Sequence, residues 1–470
     1  MSKNKLSKKI LVLSAALTLS LAQGVWAAEA EVAPQVENQV VTLTLQEAMF
    51  RAFNTNPAIA IAGYERASAK ADLDAARSSR WLSVKGESRF QRGGMDDDQY
   101  VPPHFALNPE NGSINPVAGK YVDKINEKYT NSLSASMPIY TGGRLSGTVK
   151  AAKAGFKYAL EGEQKAYNDM RATVTNGYYG LLQAGNMQEL SRESVHRLEE
   201  HLKDVKAQYD VGVVAKVDVL RSEVELANAQ QNLIKAENAY QLAEAGLNRI
   251  IGLPLETELQ LIETLEYVPY DTNLEYCLTY ASENRPELEQ ARQGVEAARG
   301  SLLVARSGYQ PQIGVSATKT WEDDEWFADE NGKWGVGVGL TMNIFDSGVT
   351  MSKIHGAKAN LAKAEAAYQD TTDAVMLHVR QSYLNLREAE KRIQTTQVAV
   401  AKAEEDYHIA QVRYMAGVGT NTDVLDAEVA LTNAKTNYSQ SLYDYNTSRT
   451  NLQNAIGEPM LMPHRITVEE

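Results

Sequence analysis

Residues Tyr209 to Ala229 read YDVGVVAKVDVLRSEVELANA, and YMAGVGTNTDVLDAEVALTNA returns 205 residues later, from Tyr414 to Ala434. Eleven of the 21 positions are identical, where unrelated segments of average composition would share about one. Such self-similarity marks a chain built from two copies of one supersecondary unit, so its fold has to satisfy a two-fold internal plan. Pro138, Gly143, Gly212, Asp218 and Gly252 meet Asn343, Gly348, Gly417, Asp423 and Gly457 at the same offset of 205. Upstream the offset becomes 229, pairing Asn56-Pro57 with Arg285-Pro286 and Ser83-Val84 with Gln312-Ile313. The first copy therefore carries 24 extra residues between Val84 and Pro138, expected to form a loop.

Each copy opens with helix formers interrupted by a proline, Leu45 to about Trp81 and Leu274 to about Tyr309, which predicts a short helix, a break and a longer helix. Gly143 to Gly212 and Gly348 to Gly417 are proline-free blocks of 70 residues, each able to run as a rod of about 105 Å. Beyond each tip glycine a return helix carries a seam at spacings of three and four. In the first copy it is Leu226, Ala229, Leu233, Ala236, Tyr240, Ala243, Leu247, Ile250; in the second, Leu431, Ala434, Tyr438, Ser441, Tyr445, Ser448, Leu452, Ala455. Large and small side chains alternate, as close coiled-coil packing requires; a plain helical bundle would use the same pattern.

Between the helices the period changes to two, most clearly where Val336, Val338, Leu340, Met342 and Ile344 alternate with Gly335, Gly337, Gly339, Thr341 and Asn343. Weaker alternation gives four strands, about 82–92, 130–140, 312–321 and 335–345. Such ribbons suit either a small soluble sheet or membrane strands. The polar loops Gln91 to Tyr129 and Trp321 to Trp334, set against short turns on the other side, favour the second. Four open strands cannot cross a bilayer, because unpaired edge groups in hydrocarbon cost several kcal/mol each. Other copies must close the ring.

The N-terminus orders Lys3, Lys5, Lys8 and Lys9, an apolar stretch Ile10 to Ala22, then Val25-Trp26-Ala27, the layout of a secretory signal. After residue 27 no apolar run reaches the ~18–20 residues of a membrane helix. The formal charge of -13, falling to -17 without those four lysines, argues against nucleic acid as a partner. Cys277 is the one cysteine, so no internal disulfide forms. The expected divisions are a signal peptide at 1–27, an N-terminal extension at 28–44, a first repeat at 45–255, a linker at 256–273, a second repeat at 274–457 and a tail at 458–470.

With these motifs the chain resembles the TolC-type outer membrane efflux channels from Leu45 to Gly457. The likeness rests on Tyr209-x-x-Gly212 with Asp218-Val219-Leu220, on Tyr414-x-x-Gly417 with Asp423-Val424-Leu425, and on the Asn56-Pro57 and Asn284-Arg285-Pro286 elements. Pro138-Ile139-Tyr140 before Gly142-Gly143, Asn343-Ile344-Phe345 before Gly348, and Gly252-Leu253-Pro254 complete it. The resemblance implies a mainly α fold with a membrane β-barrel: a homotrimer whose twelve strands, four per protomer, continue into a periplasmic coiled-coil tunnel. It also implies outer-membrane lipid around the barrel, a periplasmic adaptor protein and an inner-membrane pump as partners, and a passive, non-enzymatic duct for efflux or type I secretion.

Within that frame Gly212 and Gly417 are expected to supply left-handed caps at the periplasmic tips, with Gly212, Val213, Gly417 and Val418 in the strips that meet the adaptor. Asp218 and Asp423 follow the turns, where a first-turn acid or N-cap is the plain structural role. Asp426 has Arg221 as its repeat equivalent, so capping does not explain it. The resemblance implies that Asp423 and Asp426 form the pore constriction. Their crowding would raise their pKa values, with Asp218 and Arg221 as possible gate partners. A basic residue that ties the inner helices together in the family is replaced here by Gly419. His196 and His201 are five apart with no third ligand, so a solvated helix is expected rather than a metal site. No cofactor motif and no nucleophile–base pair is present. The rival readings are an exported coiled-coil structural or adhesion protein with a soluble sheet, and an always-open porin.

Overall fold

The computed structural model describes residues 40–94, 99–107, 112–122, 125–323 and 332–458. The expected signal peptide, most of the N-terminal extension and nearly all of the C-terminal tail lie outside them. The first copy begins with β1 (Val41–Leu43), α1 (Leu45–Thr55) and α2 (Pro57–Ser78). Thr44 and Glu47 close a capping box over α1, satisfying free amides of its first turn. Pro57 sits where a helix needs no amide donor, and its ring holds Asn56 extended with ψ 126°. The chain continues through β2 (Ser83–Gly94), β3 (Gln99–Val101), β4 (His104–Leu107), β5 (Ile114–Val117), β6 (Lys120–Val122) and β7 (Ile125–Tyr140) into α3 (Arg144–Asp210) and α4 (Lys216–Ile251). After β8 (Leu259–Leu261) the second copy repeats the plan with α5 (Leu274–Asn284), α6 (Pro286–Arg306), β9 (Gln312–Asp323), β10 (Gly332–Thr341), α7 (Val349–Met415) and α8 (Asn421–Ile456).

The two rods α3 and α7 have 67 residues each, about 100 Å of helix. Each starts after a glycine in the left-handed region, Gly143 at φ 90° and Gly348 at φ 88°. The return helices end on Gly252 and Gly457, both at φ 74°. Those ends meet the proline breaks: Asn56 donates to the Ile250 carbonyl at 2.9 Å, and Arg285 donates to the Asn454 carbonyl. α2 therefore begins where α4 stops, and α6 begins where α8 stops.

One lateral order results, because α3 packs on α2 and α4, α7 packs on α6 and α8, and α3 also packs on both α6 and α8. The protomer is a ribbon of four lanes: α2 over α4, then α3, then α6 over α8, then α7. The main sheet is antiparallel in the order β2-β7-β9-β10, and each strand extends the lane of the helix joined to it. β2 with α2 and α4 forms one margin, and β10 with α7 forms the other.

The ladder register places Val84, Phe90, Leu133, Ala135, Met137, Ile313, Val315, Ala317, Trp334, Val336, Val338 and Leu340 on one face of the sheet. Lys85, Glu87, Arg89, four hydroxyl residues of β7, Ser316, Thr318 and Gly335, Gly337 and Gly339 of β10 line the opposite face. Trp334 is 78% and Val338 73% exposed, and an apolar patch of this extent marks a protein or membrane contact. Phe90 packs on Tyr129 with ring centroids 4.8 Å apart, and Lys319 lies over Trp321. Both contacts fall toward the same end of the sheet. Among the described residues no helix is long and apolar enough to cross a membrane.

Two expectations change. The ladder of β10 ends at Thr341 rather than near residue 345, because its partner β9 starts at Gln312, after a 3-10 turn at Ser307–Tyr309, and offers no further pair. The 24-residue insertion is not a plain loop: β3 pairs with β6, and β4 with β5.

Inside the ribbon, buried apolar clusters follow the lanes, and the seams of both return helices face inward. The tightest approach is between α3 and α6, where a Cβ on Gly147 would lie 2.6 Å from the Gly300 carbonyl, and one on Gly300 would lie 2.7 Å from the Ala151 amide. Both contacts are with backbone. Gly300→Ala should therefore destabilise the protein by about 1–3 kcal/mol through overpacking, read as a fall in the thermal midpoint of the detergent-extracted protein. Gly294→Ala on the same helix, with open space around it, should instead stabilise by about 0.5–1 kcal/mol.

Candidate gate at the hairpin tips

Each rod ends in a left-handed glycine turn. Gly212 has φ 80° and Gly417 φ 73°. Val213 donates to Gln208 at 2.9 Å, and Val418 donates to Arg413 at 3.0 Å, which satisfies carbonyls that the helix ends would leave free. The glycines do the conformational work expected of them. Around them Val211, Val213, Met415 and Val418 are all exposed, giving each tip an apolar crest.

The helices that leave the two turns start differently. Thr420 caps α8, its hydroxyl accepting from the Asp423 amide while the Asp423 carboxylate accepts from the Thr420 amide. In the first copy Ala215 stands in the same place and supplies no cap, leaving Asp218 as a bare first-turn acid. The Thr420 backbone amide, then its hydroxyl, holds the Asp423 carboxyl below the usual carboxylate range. Within the protomer this reverses the expected upward shift, because the capping bonds need the ionised form. Asp423 and Asp426 are both exposed and, three apart, share one face of α8.

The structure brings the other two sequence candidates against the second hairpin. Arg221 donates to the Thr422 hydroxyl at 3.0 Å, and the Asp218 carbonyl accepts from the Asn421 side-chain amide at 3.0 Å. Among the described residues no ion pair joins Arg221 to Asp423 or Asp426. Gly419 also has a steric explanation: a Cβ there would lie 2.9 Å from the Tyr414 amide, so this turn has no room for a basic side chain.

Sequence reasoning missed what holds the hairpins together. α3 and α8, from different copies, share buried apolar clusters that include Val195, Leu198 and Leu425, and beside these they meet through a row of polar pairs. Asn176 reaches Asn451 at 3.2 Å, Gln183 accepts from Ser439 at 2.9 Å, and Ser194 donates to the buried Glu428 at 2.8 Å. Arg197 joins Glu428 at 3.1 Å and Thr432 at 3.1 Å. Nearest the tip, the His201 Nε2 lies 2.6 Å from the Asn421 side-chain oxygen, which the Ser222 hydroxyl also reaches at 3.2 Å. His201 is 6% exposed, so it is not on a solvated face as expected: α8 covers it. His196 remains exposed beside Glu200. The available signal was divergence between copies, since Asn421, Ser222 and His201 stand opposite Lys216, Ala427 and Asp406 at the offset of 205.

No group of three or more metal-ligating side chains occurs among the described residues. A duplicated ribbon with an exposed amphipathic sheet at one end and paired helical tips at the other defines a class of membrane exit channel. The family model for outer membrane efflux proteins matches residues 50–253 and 278–458, and the chain belongs to that family: a passive outer-membrane channel protein, not an enzyme. It is 24% identical to the alkaline protease secretion protein AprF of Pseudomonas aeruginosa over 70% of each chain. It is 24% identical to the outer membrane protein TolC of Escherichia coli over 62% of each, so the alignment spans less than two thirds of TolC's length. In structure it is similar to the Campylobacter jejuni CmeC outer membrane channel, with a TM-score of 0.75 and 18% identity, covering 88% of this chain and 85% of that one.

The capping asymmetry makes a direct prediction. Thr420→Ala should cost the start of α8 about 1 kcal/mol, and Ala215→Ser should add a similar amount to α4. Amide exchange at the first turns should quicken in the first variant and slow in the second.

Proposed function

We propose that three copies of this chain close into one duct, with a twelve-stranded barrel in outer-membrane lipid and a helical tunnel in the periplasm, gated at the hairpin tips. The observation that carries this reading is the coincidence of the two margins. The sheet leaves β2 and β10 each paired on one side only, and the helical lanes ending there, α4 and α7, each present exposed apolar residues, Leu220, Val224 and Ile234 on one and Leu377, Leu384 and Val398 on the other. One rotation that seats β10 and α7 against β2 and α4 of the next copy would satisfy edge hydrogen bonds and bury both stripes. A soluble adhesion protein would have no reason to expose the strand faces together with both margins.

Asp423 and Asp426 then become rings around the axis, a cation-attracting constriction at the mouth. Asp218 and Arg221, through Asn421 and Thr422, hold the second hairpin against the first. The apolar crests at Gly212–Val213 and Gly417–Val418 are where a periplasmic adaptor protein docks, bringing an inner-membrane pump into line. The energy comes from that pump. Relatives named for alkaline protease secretion and for toluene efflux bracket the cargo class between an exported polypeptide and a small apolar compound.

Two measurements test the assembly and the gate. Leu220 and Ile409 are exposed at matching distances from their tips, so Leu220→Cys with Ile409→Cys should oxidise into covalent trimers; disulfides confined within single chains would contradict the ring. In planar bilayers the wild type should show low conductance that rises severalfold in Asp426→Ala. High wild-type conductance unaffected by that change would favour an open porin.

A further inference from the structure

His201 belongs to the seam that separates the two hairpins, and it is the buried imidazole of a junction where all four helices of the tips meet. It projects from α3; Ser222 reaches the same acceptor from α4, Asn421 comes from α8, and the Tyr414 ring of α7 lies 5.2 Å from the imidazole centroid. Asn421 is 3% exposed and Ser222 fully buried. Asn421 cannot leave without abandoning three bonds together, to His201, to Ser222 and to the Asp218 carbonyl.

We propose that His201 is the positioning residue that keeps the second hairpin closed: its neutral imidazole, donating from Nε2 to Asn421, fixes the start of α8, and a proton on that ring releases it. This rests on the reading of the tips as a gate, and it places the proton response outside the aspartate rings.

Burial pushes the imidazole down, outweighing the Asn421 bond and the charge of Asp204. The charged and titratable groups facing it are Asp204 on its own helix, Tyr414 on α7, whose phenol burial pushes up, and Asp218 on α4, which acts on Tyr414 together with Asp204. α8 contributes neutral Asn421 and, beyond it, the capped Asp423. None supplies a buried anion within bonding distance to hold an imidazolium in place. The sign follows: a base whose pKa is lower when packed stabilises the packed state fully above its free value, about 6.5, and loses that stabilisation as pH falls below it. One linked proton can shift the closed-to-open ratio by up to about tenfold per pH unit.

The test compares full-length trimers of wild type and His201→Gln, which keeps an amide donor but cannot titrate, in planar bilayers at pH 7.5 and 5.5. The aspartate rings are common to both and cancel. Wild-type conductance should rise severalfold more on acidification than that of the variant. In parallel, spin labels at Glu199→Cys on α3 and Ala430→Cys on α8 should give a longer, broader distance distribution at pH 5.5, and His201→Gln should abolish the change. Equal acid responses in the two proteins, or label distances that do not move with pH, would overturn the proposal. Asp426→Ala measured alongside separates the two ideas: if it leaves conductance unchanged the gate reading falls, while the label distances still decide the latch.

Discussion

A backbone amide or carbonyl left unpaired in hydrocarbon costs several kcal/mol, and this constraint organises the whole chain. The four-stranded sheet carries an apolar face that water disfavours and two margins that lipid cannot satisfy. Because each strand is covalently continuous with a helix, the order β2-β7-β9-β10 imposes the same order on the helical lanes. Strand order in the sheet thus dictates which helices become neighbours far below it, and duplication supplies equal lane lengths, 67 residues in each rod and 36 in each return.

The seam between the two hairpins combines two kinds of contact. Buried apolar side chains cluster across it, Leu202, Val205 and Val219 of the first hairpin with Tyr414, Val424 and Leu431 of the second. Between hairpins, α3 meets α8 through pairs at Gln183–Ser439, Ser194–Glu428 and His201–Asn421, whose residues advance by 11 and 7 along one helix as they retreat by 11 and 7 along the other. Those steps are three and two helical turns. Such pairs fix the register of α3 against α8 more sharply than apolar contacts alone. The breakdown of repeat symmetry at Thr420 against Ala215, and at Asp426 against Arg221, falls at the hairpin tips, where one return helix is capped and the other is not.

Much of this was legible beforehand. The glycine turns, the proline breaks and the alternation of β10 depend on backbone preferences and on side-chain period, which are local properties. Of the candidate tip residues, the glycines, Val213 with Val418 and Asp218 with Asp423 stand out by repetition, and Asp426 with Arg221 by divergence between copies. The burial of His201 is invisible in the sequence, because five-residue spacing reports only its own helix and says nothing of the helix that covers it. The pairing of Arg221 with Thr422 rather than with an aspartate was hidden for the same reason, and the strands within the long insertion were too short to show a period.

By itself the sequence determined the two-fold plan, the lengths of the rods, the places where the chain turns and the two faces of its strands, since each follows from contacts between residues close along the chain. Only the tertiary structure decided the lateral order of the lanes, the polar pairs along the α3–α8 seam and the burial of the imidazole beneath Asn421. Those depend on the rotational phase of helices far apart in the chain, 132 residues between Tyr158 and Gln290 and 220 between His201 and Asn421, a quantity set by packing rather than by any local run of amino acids.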